Sequence, residues 1–207
     1  MIPWGVIVAG GSGSRFGRRK QFEPLRGRRV IDWSLDTLAS ACAGVVLVVP
    51  ADRLDDHFEG ATAVVAGGAD RSASVRAGLE RLPAEATHVL VHDGARPLVS
   101  RPLVDRILGA LADGAPGVVP VVAVTDSLRT VDSCPVDRSG FVAVQTPQGF
   151  ELATLRSAHA SARPASDDAT LLHELGVEVR HVEGDAINLK VTEPHDLAVA
   201  EALFDAR

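Results

Sequence analysis

Five short runs of apolar, mostly β-branched residues, at 6–8, 45–49, 63–66, 89–91 and 118–122, set the strongest limit on what this chain can fold into. None alternates apolar with polar, as a strand with one wet face would. Each therefore suits a strand covered on both faces, which is the condition of a parallel sheet held between two helix layers. Between the runs, Val104, Ile107, Leu108 and Leu111 recur at i, i+3, i+4 and i+7, and Val75, Leu79 and Leu82 keep a similar stripe. These are crossover helices. Ser100 and Pro102 open the first, Ser72 or Ser74 caps the helix through Leu82, and Thr192 with Pro194 opens a last helix through Leu203. The fold class expected is α/β, a single doubly wound, mostly parallel sheet.

A chain of 207 residues with 46% hydrophobic and 23% charged residues can build one core without cross-links, so one domain over 1–207 is expected. Cys42 and Cys134 are too few for a disulfide framework and lack zinc-ligand spacing, which fits a reducing, cytoplasmic setting. The first apolar stretch has no basic residues before it and is cut by Gly10-Gly11, so it reads as a strand and not a signal peptide. No segment reaches the ~20 apolar residues of a membrane span. A net charge of −6 opposes a polynucleotide partner, and 4% aromatics without tyrosine leave little for base stacking. His92, His173 and His195 lack the H-E-x-x-H pattern and no G-x-S-x-G occurs, so zinc protease and serine hydrolase chemistry have no support. Asp167-Asp168 reads as a helix start.

The stretch 126–145 breaks the α/β rhythm. Two β-prone pieces, 127–131 and 141–144, flank a polar turn containing Pro135 and Asp137-Arg138-Ser139-Gly140. A projecting hairpin arm is expected. An isolated hairpin is marginal in water, so the arm needs something to pack on, and a second copy of the chain is the natural candidate. The only other plain loop is 162–166.

Ala9-Gly10-Gly11-Ser12-Gly13-Ser14-Arg15-Phe16-Gly17 follows the first strand directly. Glycines let a backbone approach a ligand and turn N–H groups toward phosphate. The loop is neither a Walker loop nor G-x-G-x-x-G. Arg15, Arg18, Arg19, Lys20, Arg26, Arg28 and Arg29 place seven cations in the first 29 residues against one acid, Glu23, a local +6 that leaves −12 for the remainder. Such a cluster suits a triphosphate. A flexible turn with a solvated basic surface remains the plain alternative on composition alone.

That loop is followed in order by Gly67-Gly68-Ala69-Asp70-Arg71-Ser72-Ala73-Ser74-Val75, Val91-His92-Asp93-Gly94-Ala95-Arg96-Pro97, Thr146-Pro147-Gln148 and Asn188-Leu189-Lys190-Val191-Thr192. Together they resemble the 2-C-methyl-D-erythritol 4-phosphate cytidylyltransferase family. The resemblance implies a nucleotidyltransferase domain that dimerises through a β-arm at about 126–145. It implies a cytoplasmic enzyme of non-mevalonate isoprenoid synthesis that moves CMP from CTP to the polyol phosphate, with Mg²⁺ on the triphosphate. By the same resemblance Arg15, Lys20, Arg138 and Lys190 are catalytic, and Ala9, Gly10, Gly11, Gly13, Gly67, Gly68, Ser74 and Asp93 bind CTP. Asp93, Arg96, Ser127, Arg138, Thr146 and Lys190 face the second substrate, Arg138 reaching into the partner's site. Asp93 is the only side-chain candidate toward the metal. Ala69 stands where some relatives carry Asp, and Gly94 replaces the usual Ala, which is expected only to loosen the turn. Two other readings stay open: a cytidylyltransferase for another polyol phosphate such as ribitol 5-phosphate, and a non-catalytic nucleotide-sensing module.

Overall fold

The β-branched runs all become strands in the computed structural model, which describes residues 1–11, 16–160, 165 and 167–205. In chain order the elements are β1 (Pro3–Val8), β2 (Pro24–Leu25), β3 (Arg28–Arg29), α1 (Val30–Ala41), β4 (Val45–Val49), β5 (Ala63–Ala66), α2 (Arg71–Glu80), β6 (His88–Asp93), α3 (Arg101–Ala112) and β7 (Gly117–Ala123). There follow β8 (Leu128–Arg129), β9 (Pro135–Val136), β10 (Val142–Val144), β11 (Gln148–Glu151), α4 (Leu152–His159), α5 (Asp168–Glu174), β12 (Arg180–Glu183) and α6 (His195–Asp205). Among the described residues no helix is long and apolar enough to cross a membrane.

The main sheet has the order β10-β7-β11-β6-β1-β4-β5, with β12 on the other flank of β7. β1, β4, β5, β6, β7 and β12 run one way, while β10 and β11 run against them. The chain steps from β1 outward to β4 and β5, then returns across β1 to β6. This reversal opens a crevice at the carboxyl ends of β1 and β6, the place where open α/β sheets bind ligands. Alternate strand residues divide the core between two faces. Ile7, Leu47, Val49 and Leu90 meet α1 and α3 through Ile31, Leu35 and Ile107. Val6, Val48, Val89 and Val91 meet α2, α4 and α5 through Val75, Leu79, Leu155 and Leu171. α6 closes a third cluster over Leu25, Val30 and Trp33, with Phe204 against the Trp33 ring.

Four details differ from the sequence reading. The pieces 127–131 and 141–144 do not pair with each other. Leu128 and Arg129 pair with Val136 and Pro135, while Val142–Val144 joins the main sheet along β7. The open edge of β7 offers more ladder bonds than a short ribbon does, and it captures β10. The cap of α2 is Asp70, whose carboxylate accepts from the Ala73 amide at 2.7 Å, so the helix begins before either serine. The crossover from β4 to β5 carries a single 3₁₀ turn, Ala51–Arg53, in place of a helix. Finally, Gly94 does not slacken its turn: a Cβ there would lie 3.2 Å from Ala9 Cβ and 3.3 Å from Ile31 Cδ1, so the space is already closed. The loop expected at 162–166 falls almost wholly outside the described residues.

Candidate active site

The crevice encloses about 460 Å³ between Val8–Gly11, Lys20, Gln21, Gly68–Arg71, Ser74, Asp93, Ala95 and Lys190. Its floor is made of two glycine turns laid backbone to backbone. A Cβ on Gly67 would sit 3.3 Å from Gly10 Cα and 3.0 Å from Ser74 Oγ, and one on Gly68 would collide with Ala73 Cβ at 2.4 Å. Only glycine permits that approach. Ser74 pins the second turn, its hydroxyl donating to the Asp70 carbonyl at 2.9 Å and accepting from the Gly68 amide at 3.1 Å.

Lys20, Gln21 and Phe22 form one 3₁₀ turn, and each does something different. Lys20 lines the crevice. Gln21 is buried and donates its amide to the Ala9 carbonyl at 2.5 Å and the Gly11 carbonyl at 3.0 Å. Two carbonyl dipoles that would repel a phosphate are thereby engaged by the protein. Phe22 anchors the turn against Phe58, with the Arg53 guanidinium over its ring.

Asp93 ends β6 at the centre of the site, its carboxylate 2.7 Å from Lys190 Nζ and 3.4 Å from Arg71 Nε. Burial opposes its ionisation, but the charges of Lys190 and Arg71 outweigh burial and hold the carboxyl far below the usual range. Arg71 also reaches Asp168 at 2.8 Å, and Asp168 in turn meets His159 Nε2 at 2.9 Å. Burial works against the Arg71 charge, yet Asp168 and Asp93 raise its pKa above the ordinary value. The start of α5 is held as well, because Gln148 Oε1 accepts from the Asp168 and Ala169 amides.

A second, smaller pocket of about 150 Å³ adjoins the first and shares Arg71, Asp93 and Lys190 with it. Arg96, Val144, Gln145, Thr146, Gln148 and Asp167 complete its wall. Arg71 Nη2, Arg96 Nε and Gln148 Nε2 are buried donors with no partner among the described residues. Three such donors around one pocket call for a ligand rich in acceptors. Burial lowers the Arg96 pKa, with Asp93 opposing, but a guanidinium keeps its charge at neutral pH.

The basic amino-terminal segment is not a field of free charge. Arg18 pairs with Glu23, Arg19 with Asp52, Arg26 with Asp205, Arg28 with Asp36 and Arg29 with Asp32. The acidic remainder thus neutralises much of the local excess, and Lys20 is the described cation of this segment that lines the crevice. Arg15 and Gly13 lie outside the described residues. Of the other residues expected in the site, Ala9, Gly10, Gly11, Lys20, Gly68, Ser74, Asp93 and Lys190 line the large pocket, with Gly67 packed beneath it. Arg96 and Thr146 line the small one, although the Thr146 hydroxyl is already bonded to the Asp93 amide at 3.0 Å and to His92 Nδ1 at 3.1 Å. Ser127 and Arg138 line neither pocket; both are exposed in the arm, where the Arg138 guanidinium donates to the Thr125 carbonyl. Arg71, Gln21 and Gln148 were not singled out from the sequence, and Asp168 was read only as part of a helix start. Arg71 and Gln148 stood inside the quoted motifs, and only their contacts distinguish them from neighbouring residues.

Such a crevice can hold a triphosphate beside a second anion with a buried carboxylate between them, and proteins that join sheet and site in this way are nucleotidyltransferases of the α/β class. The model of the 2-C-methyl-D-erythritol 4-phosphate cytidylyltransferase family matches residues 4–206, and the chain belongs to that family. It is 40% identical over 216 residues to the 2-C-methyl-D-erythritol 4-phosphate cytidylyltransferase of Nocardia farcinica, covering 98% of this chain and 94% of that protein. It is 42% identical over 229 residues to the bifunctional enzyme IspD/IspF of Nitratidesulfovibrio vulgaris, where it covers 98% of itself but spans only 58% of the longer relative. The crystal structure of 2-C-methyl-D-erythritol 4-phosphate cytidylyltransferase from Thermus thermophilus superposes with a TM-score of 0.85 at 41% identity, covering 98% of both chains.

Proposed function

We propose that the chain, as one nucleotidyltransferase domain over 1–207, transfers CMP from CTP to 2-C-methyl-D-erythritol 4-phosphate, giving 4-diphosphocytidyl-2C-methyl-D-erythritol and pyrophosphate. The observation that carries this reading is the pair of adjoining pockets whose shared wall is Arg71, Asp93 and Lys190. CTP takes the large pocket, its cytosine at the Gly67-Gly68 turn and its phosphates over the Ala9–Gly11 turn beside Lys20; Arg15, outside the described residues, keeps the catalytic role that the family resemblance implies. The polyol phosphate takes the small pocket, where the unpartnered donors of Arg71, Arg96 and Gln148 meet its oxygens. Its phosphate oxygen attacks the α-phosphorus in line, the bond from that phosphorus to the bridging oxygen breaks, and pyrophosphate leaves. Lys190 and Lys20 stabilise charge on the entering and leaving sides. Two anions must be brought together, so positioning and fixed positive charge are the main contributions of the protein.

Among the described residues no group of three or more His, Cys, Asp or Glu side chains is arranged to hold a metal. Asp70 and Asp93 are the carboxylates that line the large pocket among the described residues, a sparse oxygen donor set that fits Mg²⁺ carried mainly by the CTP phosphates, with Asp93 facing it. When bound, the ion neutralises charge on the departing pyrophosphate.

The arm is the dimerisation element of this reading. Val131, Phe141, Val142 and Val144 are exposed apolar residues along it, a surface that a second copy of the chain would cover. In that dimer Arg138 and Ser127 of one chain serve the small pocket of the other. The setting is cytoplasmic. Pyrophosphate release measured with CTP and either methylerythritol 4-phosphate or ribitol 5-phosphate tests the assignment. Turnover favouring the former by at least tenfold supports it; turnover confined to ribitol 5-phosphate, or CTP binding without turnover, overturns it.

A further inference from the structure

His92 is wholly buried on β6, one residue before Asp93, and no step of the proposed transfer uses it. Its ring is one member of a closed circuit. His92 Nδ1 lies 3.1 Å from Thr146 Oγ1, and the Thr146 carbonyl accepts from Asn188 Nδ2 at 2.9 Å. The Asn188 carbonyl accepts from Arg96 Nη1 at 2.8 Å, and the Arg96 carbonyl lies 3.2 Å from His92 Nε2, which closes the ring. The circuit joins β6, the turn after it, the break between β10 and β11, and the segment that carries Lys190. The Val191 amide, donating to the Ala95 carbonyl at 2.8 Å, fastens that last segment a second time.

We infer that His92 is a positioning residue, whose neutral ring with its proton on Nε2 sets Asp93, Arg96 and Lys190 in one register around the phosphate of the second substrate. A carbonyl can only accept, so the contact with Arg96 fixes the proton on Nε2. Nδ1 of the neutral ring then accepts from the Thr146 hydroxyl, whose oxygen is left to receive the Asp93 amide at 3.0 Å. Every polar atom of the ring and of that hydroxyl has one assigned role, and reversing the tautomer would set lone pair against lone pair at Arg96. Burial pushes the ring pKa down to about 4, with Asp93 opposing and Arg96 assisting, which keeps the ring neutral in the working range. Removing the circuit frees the side of the site that holds the polyol phosphate and leaves the glycine turns and Lys20 untouched.

This inference rests on the reading of the small pocket as the polyol phosphate site, and two measurements separate its failure from the failure of that reading. The first needs no substrate: ¹⁵N spectra of the histidine-labelled protein between pH 6 and 8 are expected to show His92 with Nε2 protonated and Nδ1 bare. A protonated Nδ1 overturns the circuit. The second is kinetic. His92→Phe, which keeps a flat ring and removes both hydrogen bonds, is expected to raise KM for methylerythritol 4-phosphate tenfold or more while equilibrium binding of CTP changes less than twofold. His92→Asn, which restores an acceptor toward Thr146, is expected to recover part of that loss. An equal loss of CTP binding, or an unchanged KM, overturns the positioning role. If His92→Phe does not fold, the spectra of the unaltered protein and the kinetics of His92→Asn decide the matter. Absence of turnover by the unaltered protein condemns the functional reading while leaving the spectra to judge the circuit.

Discussion

Arg71 does two things at once, and separating them is a sharp test of how the site is built. Its guanidinium spans Asp93 at 3.4 Å and Asp168 at 2.8 Å, and those two carboxylate side chains are only 12% and 1% exposed. Arg71→Met keeps the aliphatic stem but leaves Asp168, among the described residues, with His159 as its side-chain partner. Removing one partner of a buried pair costs about 3–5 kcal/mol, largely through the stranded charge, and the lower end applies because Asp93 retains Lys190. At about 2–4 °C per kcal/mol for a chain of this size, roughly 3 kcal/mol lowers Tm by about 6–12 °C. Adding Asp168→Asn removes the stranded charge and keeps an acceptor for His159, so the double variant is expected within about 1 kcal/mol of the unaltered protein in urea denaturation. Turnover is expected to stay lost in both, because the guanidinium faces both pockets. A loss of less than about 1 kcal/mol in Arg71→Met, or a double variant as unstable as the two single losses added together, would refute the two-carboxylate bridge.

Three further outcomes follow from the same geometry. The unfolded chain binds a proton at His92 below about pH 6.5, whereas the folded ring resists until about 4, so stability falls as pH drops between those values, by up to roughly 3 kcal/mol. Asp93, held below the carboxylate range, adds its own loss only below about pH 4. Acid denaturation series on the unaltered protein and His92→Phe should therefore diverge in slope between pH 4 and 6.5, and parallel slopes would contradict the buried neutral ring. Lys20→Ala is expected to lower kcat by about two orders of magnitude or more with a much smaller change in CTP binding, since its charge acts mainly as the triphosphate breaks; equal losses in both would assign it to ground-state binding instead. Mixing Arg138→Ala subunits with Lys20→Ala subunits should restore part of the activity in verified heterodimers, and no restoration would remove Arg138 from the partner's site.

Much of the fold could be read from residues 6–8, 45–49, 89–91 and 118–122 because each strand's two faces are both buried, which leaves an unbroken apolar signature. α1 escaped because its stripe includes Ser34, a polar residue buried where an apolar one is expected and satisfied by the Arg96 carbonyl at 3.0 Å. The start of α5 was legible in Asp167-Asp168, but the burial of Asp168 was not, because its partners among the described residues come from α2 and α4. The pairing within the arm was not legible either, because the ladder that β10 joins is set by the edge of β7, more than a dozen residues away in sequence. In the candidate site, residues of the motifs line two adjoining pockets, but how the work divides between them was not legible. Seven basic residues crowd the first 29, and only long-range acids such as Asp52 and Asp205 show which of them are engaged elsewhere.

The central claim is that the crevice gathers two phosphates at Asp93 so that transfer is direct. Turnover of CTP carrying a chiral α-thiophosphate, with the configuration of the diphosphate product determined by ³¹P NMR, tests that claim most closely. A single in-line displacement predicts inversion at phosphorus; retention would require a covalent enzyme intermediate and would contradict the account.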